Sequence, residues 1–350
     1  MTWLSLRNPR FVNVRQARNE PMNSHETTGP LFTDPDPDSA RAFFRTKRVA
    51  LQEKVMSVSE AVGLFVTDDA YVASGGFGTN RIATAALHEV VRQGRKGLGF
   101  AGHTTTHDFQ ILCGGHMHGH KTIERLDAAY IIGLEARGLS PHARRVVESG
   151  DIEICEWSNF ALAARFRAAA AGLSFVPVRS LLGTETLTRS GAQVISCPFT
   201  GKPTPVVPAL YPDVAFIHVH ESDVYGNARI QGITVADTDV ARAAKHVILT
   251  TERIISSDVI RESPERTVIP SLCVDAVCEV PYGSYPGNMA GCYYSDEVHL
   301  REWLTVERDL AAHETFMRKL ILDTRDFNEY LDVSGARGRL PELEALEMGT

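Results

Sequence analysis

From position 57 onward the chain alternates short apolar runs with amphipathic ones, and this alternation restricts its fold more than any other feature. The runs 71–73, 98–101, 126–132, 152–157, 174–178, 193–196, 214–219 and 246–250 read as strands. Between them lie helical patterns. Over 80–93, Ile82, Ala86, Leu87, Val90 and Val91 share one face, and Gly94 can stop the helix. Ser140 and Pro141 stand where an N-cap and a first helical residue belong, and Gly150 closes that segment. Ser158 or Asn159 can cap an alanine-rich helix ended by Gly172, and Ser295, Asp296 and Glu297 open a long one. Such a series predicts an α/β fold with an open, mostly parallel sheet. Ligands in these folds sit beyond the carboxyl ends of the strands. Chemistry is therefore expected in the loops beginning at Ser74, Gly102, Gly133, Ser180, Cys197, His220 and Thr251.

Composition narrows the function. A net charge of -7 disfavours binding to a nucleic-acid backbone, which wants a basic face. No run approaches the ~20 apolar residues of a membrane helix, and the opening MTWLSLRNPRFVNVRQARNEP lacks the apolar core of a secretory signal. Six cysteines without CxxC spacing read as buried, reduced thiols, hence a reducing cytoplasm. Residues 1–54, rich in Arg, Asn, Pro and Asp, are expected to form a partly flexible extension with a short helix over 39–53. The main α/β domain is expected over 55–325, with a helical tail over 326–350.

The first strand-end loop contains Ser74, Gly75, Gly76, Phe77 and Gly78. Its glycines would let backbone N–H groups approach a phosphate or the oxyanion of an acyl-transfer intermediate. The pattern is neither GxGxxG nor a Walker loop, and a tight turn would use the same residues. The second loop, AGHTTTHDFQILCGGHMHGH, holds five of the thirteen histidines. His103 and His107 have i, i+4 spacing, but three consecutive threonines favour loop over helix and no HExxH follows. The HMHGH stretch reads as a solvated turn, and no metal is expected.

His218 and His220 form an HxH pair near a strand end, which reads as two hydrogen-bonding imidazoles lining a cleft. Glu135, Glu156, Glu185, Glu221 and Glu279 are carboxylates at strand ends; each could act as nucleophile or base, and each could equally cap or form an ion pair. Arg179 is well placed to bind a substrate carboxylate. The segment CEVPYGSYPGNMAGCYYSDE, punctuated by Pro and Gly and crowded with Tyr282, Tyr285, Tyr293 and Tyr294, suggests a rigid loop against a partner or over a site, or else a buried irregular connection.

Taken in order, the strings SGGFGTNR, GFAGHTTTHDFQILC, GLEARGLSPHARR, EWSNFALAARFRAAAAGLSFVPVRS, ISCPFTGK, VPALYPDVAFIHVHESDVYGN and VDAVCEVPYGSYPGNM resemble the alpha (A) subunit of family I CoA-transferases, of the glutaconate CoA-transferase type. The likeness covers roughly 54–322 and leaves the first 50 residues aside. The resemblance implies a CoA-transferase-type sheet and a mechanism in which a glutamate attacks an acyl-CoA. A mixed anhydride and then a glutamyl-CoA thioester follow. In two-subunit members that glutamate lies in the beta subunit, in a motif like S-E-N-G. This chain has Ala101, Gly102, His103 and Thr104 at the analogous place, so the resemblance implies a beta partner carrying the catalytic glutamate. It also implies coenzyme A thioester as substrate, with no permanently bound cofactor. Residues 74–78 would face the shared site, with His103, Thr104, Thr105, Arg179 and Ser180 contacting acyl substrate.

Ring-opening hydrolases of the same superfamily use a glutamate in the alpha-type chain, within a stretch resembling D-E-G. The matching positions here are Ser158, Asn159 and Phe160, leaving Glu156 just upstream as the candidate for that alternative. A third reading is a non-catalytic acyl-CoA-binding module, but no helix-turn-helix or basic patch supports a regulatory role.

Overall fold

The computed structural model describes residues 27–48, 50–131 and 138–349. Its strands are β1 (Tyr71–Ser74), β2 (Leu98–Gly102), β3 (Ile123–Ala128), β4 (Glu153–Glu156), β5 (Phe175–Pro177), β6 (Gln193–Ser196), β7 (Pro203–Pro208), β8 (Val214–Ser222), β9 (Ala228–Arg229), β10 (His246–Ile254) and β11 (Ala276–Glu279). Seven run parallel in the order β11-β10-β8-β1-β2-β3-β4, and β9 pairs antiparallel with the end of β8. The α/β fold with an open, mostly parallel sheet is therefore present. Every residue of β1, β2 and β8 is buried, as expected of central strands covered on both faces.

Alternation along these strands separates two apolar layers. Val72, Phe100, Phe216 and Ile248 face one layer. Tyr71, Ala73, Ala101, Ala215, Ile217 and Leu249 face the other, with Trp157 and Phe166. The C-terminal helices Phe327–Val333 and Ala336–Met348 belong to the first layer, burying Phe327, Tyr330, Leu331, Leu340 and Leu343. The tail thus completes the core on that face.

Topology places the site. The chain steps outward from β1 to β4, then returns to the other side of β1 as β8. The strand order therefore reverses between β1 and β8, where α/β sheets open a crevice at their carboxyl ends. Ser74 lies level with Gly102 and Phe216, and β8 continues six residues beyond that level to Ser222, an overhang of roughly 20 Å.

Several local expectations need correction. Runs 174–178 and 193–196 are strands, but they belong to a separate antiparallel sheet of order β5-β7-β6. Phe175 and Ile195 are exposed there, which a buried parallel strand would not allow. The helix expected from residue 80 begins only at Thr84, because Arg81 adopts φ 58° and turns its guanidinium inward. β3 begins at Ile123 and ends at Ala128; the end of the run expected to reach 132, with Gly133 and Glu135, lies outside the described residues. The long helix expected from 295 is broken into Glu297–Val306 and Leu310–Met317, each capped by an aspartate, Asp296 accepting from His299 N and Asp309 from Ala312 N at 2.9 Å. Within the extension, the described helix is Pro37–Phe44 rather than 39–53.

The tyrosine-rich segment is an internal connection. Tyr285 and Tyr293 are fully buried. Tyr282 Oη donates to Glu344 at 2.6 Å, and Tyr294 N donates to Leu343 O at 2.9 Å. The chain's own last helix covers part of the segment, while Tyr294 remains 48% exposed. The six cysteines are all free thiols, four of them buried.

Candidate functional site

The crevice between β1 and β8 is built around the turn that follows β1. Gly76 has φ 83°, and an added Cβ would come within 2.7 Å of the backbone oxygens of Asn80 and Arg81, so no side chain fits. A Cβ on Gly75 would meet Asp237 Oδ1 at 2.5 Å and Ile217 at 3.2 Å. All four N–H groups after Ser74 are donated within the chain: Gly75 to Phe216 O (2.8 Å), Gly76 to Asp237 Oδ1 (2.7 Å), Phe77 to Asn80 O (2.9 Å) and Gly78 to Thr104 O (2.9 Å). The loop is therefore a rigid, preformed wall rather than the cradle of free donors anticipated from its glycines. Phe77 is half exposed on it and lies 5.8 Å, ring to ring, from His103.

Arg81 and Asp237 clamp the turn from behind. Both side chains are fully buried and form an ion pair, and Arg81 Nη1 also donates to Ile233 O at 2.6 Å. Neither residue stood out in the sequence. Asp237 opens an ordinary helix, Asp237–Ala243, some 160 positions from the loop it holds.

The loop after β2 is the second wall. The three threonines do end the strand, and the helix His107–Gly115 starts after them. Thr106 Oγ1 donates to Gly78 O at 2.7 Å, tying the walls together. Thr105 Oγ1 donates to Tyr130 O (2.9 Å), and Thr104 Oγ1 accepts from Asn159 Nδ2 (2.8 Å) while lying 2.9 Å from His103 Nδ1. Half-burial lowers the His103 pKa, so the imidazole is neutral at pH 7. Beneath both walls, burial pushes the Asp108 carboxyl up to about 6, against hydrogen bonds from Thr106 N, Phe109 N and Ser74.

Asn159 extends the site toward the third element. Ser158 caps the helix Asn159–Ala170 through a bond from Ala161 N, and its hydroxyl lies 2.8 Å from Ser180 Oγ. A chain of contacts thus runs from loop 74–78 through 103–106 to Asn159, Ser158 and Ser180. Arg179, next in sequence, is exposed and forms no ion pair with a described residue. Asn159 and Asp108 were missed as site residues in the sequence; the signal for Asp108 was its nearness to a strand end, and for Asn159 its place in the stretch matching D-E-G.

The other candidates lie elsewhere. Glu156 ends β4, three strand spacings from β1, or about 14 Å. It lines a separate cavity of about 660 Å³ with Trp157, Ile131 and Arg189, and lies 3.3 Å from Arg189 Nη1. Glu185 also pairs with Arg189 (2.8 Å), Glu221 with Arg253 and Arg229, and Glu279 accepts from Ile254 N (2.7 Å). His218 lies 2.8 Å from Thr250 Oγ1 and 2.7 Å from Glu252. His220 Nδ1 accepts from Gln231 N, so its Nε2–H donates to Ala290 O at 2.8 Å. Both imidazoles are buried and hydrogen-bonded within the chain. HMHGH is a turn at the end of the preceding helix, as expected, since His118 and Gly119 leave helical geometry, but His118 packs against His313 rather than standing free in solvent.

The family model described as Coenzyme A transferase matches residues 55–280. The alpha-type (A) chain of glutaconate CoA-transferase from Acidaminococcus fermentans is 31% identical over 300 residues, covering 81% of this chain and 92% of that protein. The crystal structure of that enzyme superposes with a TM-score of 0.78 at 30% identity, over 83% of this chain and 95% of the matched chain. The corresponding alpha-type (A) chain of 3-oxoadipate CoA-transferase from Pseudomonas knackmussii is 33% identical, covering 79% of this chain and 96% of that protein. A cholesterol ring-cleaving hydrolase IpdA subunit of Mycobacterium tuberculosis is 29% identical over 52% of this chain and 65% of its own length.

Proposed function

Since the chain belongs to the coenzyme A transferase family, we propose that it is the alpha-type subunit of a two-subunit enzyme that moves CoA between an acyl-CoA and a carboxylic acid. The partner supplies the glutamate that attacks the thioester. One observation carries this reading: beside the preformed wall between β1 and β8 every described carboxylate is engaged, Glu221 by Arg229 and Arg253 and Glu252 by His218, Tyr282 N and Tyr293 Oη. Asp237 is locked to Arg81 and Gly76 N, and Asp108 is buried under the loops. The position after β2 is held by Gly102, His103 and Thr104.

In this reading, Ser74, Gly75, Gly76, Phe77 and Gly78 form the wall against which the thioester lies. His103, Thr104 and Thr105 line the acyl side, with Ser180, and Arg179 binds a substrate carboxylate. Because the loop's own N–H groups are engaged, oxyanion donors come from elsewhere in the assembled site. Two exposed aromatic side chains suit coverage by the partner: Phe77, beside His103, and Phe160, next in sequence to the Asn159 that bonds Thr104. Coenzyme A enters as substrate, and no resident cofactor takes part. No described helix is long and apolar enough to cross a membrane. The assembly works in the cytoplasm, a reading supported by the six free thiols.

Coexpression with a candidate beta chain, followed by assay with acyl-CoA plus acetate, tests this. Transfer by the pair and none by this chain alone is the expected result. The hydrolase alternative rests on Glu156, a half-exposed carboxylate at the 660 Å³ cavity. CoA release at the same rate without any acceptor acid, abolished by Glu156→Gln, overturns the transferase reading in its favour.

A further inference from the structure

His118, His142 and His313 come from three separate segments, yet one nitrogen from each lies within 4.8 Å of the others. His118 sits in the His116–His120 turn, His142 in the first turn of the helix Pro141–Ser149, and His313 in the helix Leu310–Met317. His118 Nε2 lies 2.8 Å from His313 Nδ1, and the His142 and His313 rings meet edge to face with centroids 4.1 Å apart. His142 and His313 are fully buried and His118 is partly exposed.

A proton inventory leaves this cluster incomplete. Arg145 can only donate, so His142 Nδ1 accepts from it at 2.7 Å and His142 Nε2 carries the ring proton. That Nε2 is buried without a hydrogen-bond partner, and so is His313 Nε2. Either tautomer of the His118–His313 contact leaves His313 Nε2 unmatched. Two orphaned ring nitrogens in one buried cluster are uncommon in a native interior, and each needs an occupant that accepts lone pairs or supplies them.

We propose that His118, His142 and His313 form a binding site for one divalent transition-metal ion, with imidazole nitrogen as the protein ligand and water completing the shell on the partly exposed His118 side. Imidazole suits zinc, copper and nickel, and metal–nitrogen bonds of about 2.0–2.1 Å require the three nitrogens to draw in from their present spacing. Burial lowers all three pKa values, His142 to about 4 and His313 to about 3, so the rings are neutral and ligand-ready at pH 7. Coordination through His142 Nε2 moves its proton to Nδ1, so Arg145 must release that nitrogen while keeping its bond to Glu307 O at 2.7 Å. The ion would staple three helical segments. His118 lies past the far end of the nine-residue helix His107–Gly115, a length of roughly 13 Å from the end nearest the crevice, so the role is structural rather than chemical.

The test uses the full-length chain, stripped with chelator and titrated with Zn²⁺ by calorimetry, and with Co²⁺ followed by visible absorption. One equivalent should bind and raise Tm, and His118→Ala and His313→Ala should each abolish both effects. His120→Ala, in the same turn but outside the cluster, should bind normally. Arg145→Gln, which removes the positive charge and replaces an obligate donor with an amide able to accept from Nδ1–H, should bind roughly tenfold more tightly. The proposal is overturned if the wild type takes up no stoichiometric ion. It is equally overturned if binding survives His313→Ala but is lost in His120→Ala, the signature of adventitious binding by the histidine-rich turn. Equal or weaker binding by Arg145→Gln removes His142 from the ligand set. Because His118 is partly exposed, its replacement tests the site even if variants at the two buried positions fold poorly.

Discussion

The guanidinium of Arg81 and the carboxylate of Asp237 meet in the interior with neither side chain exposed, and the same carboxylate holds Gly76 N–H at 2.7 Å. The conformation of the glycine loop therefore depends on an ion pair formed across some 160 positions of sequence. Asp237→Ala would strand a buried cation, which costs on the order of 3–5 kcal/mol. Denaturant unfolding should show that loss. Asp239→Ala, whose carboxylate pairs at 3.3 Å with the exposed Arg167, should cost less than about 1 kcal/mol.

Gly76→Ala asks whether the wall must be rigid to work. The new methyl would press on two carbonyl oxygens at 2.7 Å and force an L-residue to hold φ 83°. Strain of this kind costs on the order of 1–3 kcal/mol. The expected outcome is a subunit that still assembles with its partner but whose kcat falls at least tenfold in a steady-state transfer assay. Unchanged kcat would show that the loop does not touch the reacting thioester.

Arg179 has no ion-pair partner among the described residues, so replacing it should leave Tm unchanged. If it binds the acid, Arg179→Ala removes a charge-assisted contact of about 1.5–3 kcal/mol, which is roughly 10- to 100-fold in KM for the carboxylic acid. KM for acyl-CoA should move much less. Arg179→Lys should recover only part of the loss, because an ammonium cannot reproduce the planar fork.

Glu307 predicts a pH effect with a definite sign. Its carboxylate accepts from Ser140 Oγ at 2.7 Å and Trp303 Nε1 at 3.0 Å, yet burial outweighs these bonds and raises its pKa to about 7. An acid with a raised folded-state pKa binds its proton more tightly when folded. Its contribution is complete below the unfolded value near 4.5 and is lost as pH rises through about 7. Glu307→Gln should remove that dependence. Relative to wild type, the variant should gain on the order of 1–3 kcal/mol in denaturant unfolding between pH 4.5 and 7.5.

The strand-helix alternation announced the fold class because burial on both faces demands continuous apolar runs, and Tyr71–Ser74, Leu98–Gly102 and Val214–Ser222 supply them. Local caps were equally legible. Ser140, Gly150 and Ser158 act through neighbours within a few residues and do what their positions suggested. Arg81 was not legible as a helix breaker, since its left-handed backbone answers to a carboxylate on a distant helix. The tyrosine-rich loop carries two readings in the sequence for a related reason: composition shows that tyrosines crowd it, and tertiary packing decides which are covered, burying Tyr285 and Tyr293 and leaving Tyr294 exposed.

By itself the sequence determined the family, the parallel sheet and the absence of a glutamate after β2, because these are properties of local pattern and residue identity. Tertiary structure alone decided that the glycine loop's N–H groups are internally engaged. It also decided that Glu156 stands about three strands from the crevice and that His118 meets His142 and His313. Each of these is a meeting of segments far apart in the chain, fixed by strand order and helix packing, and no short-range pattern encodes such a distance.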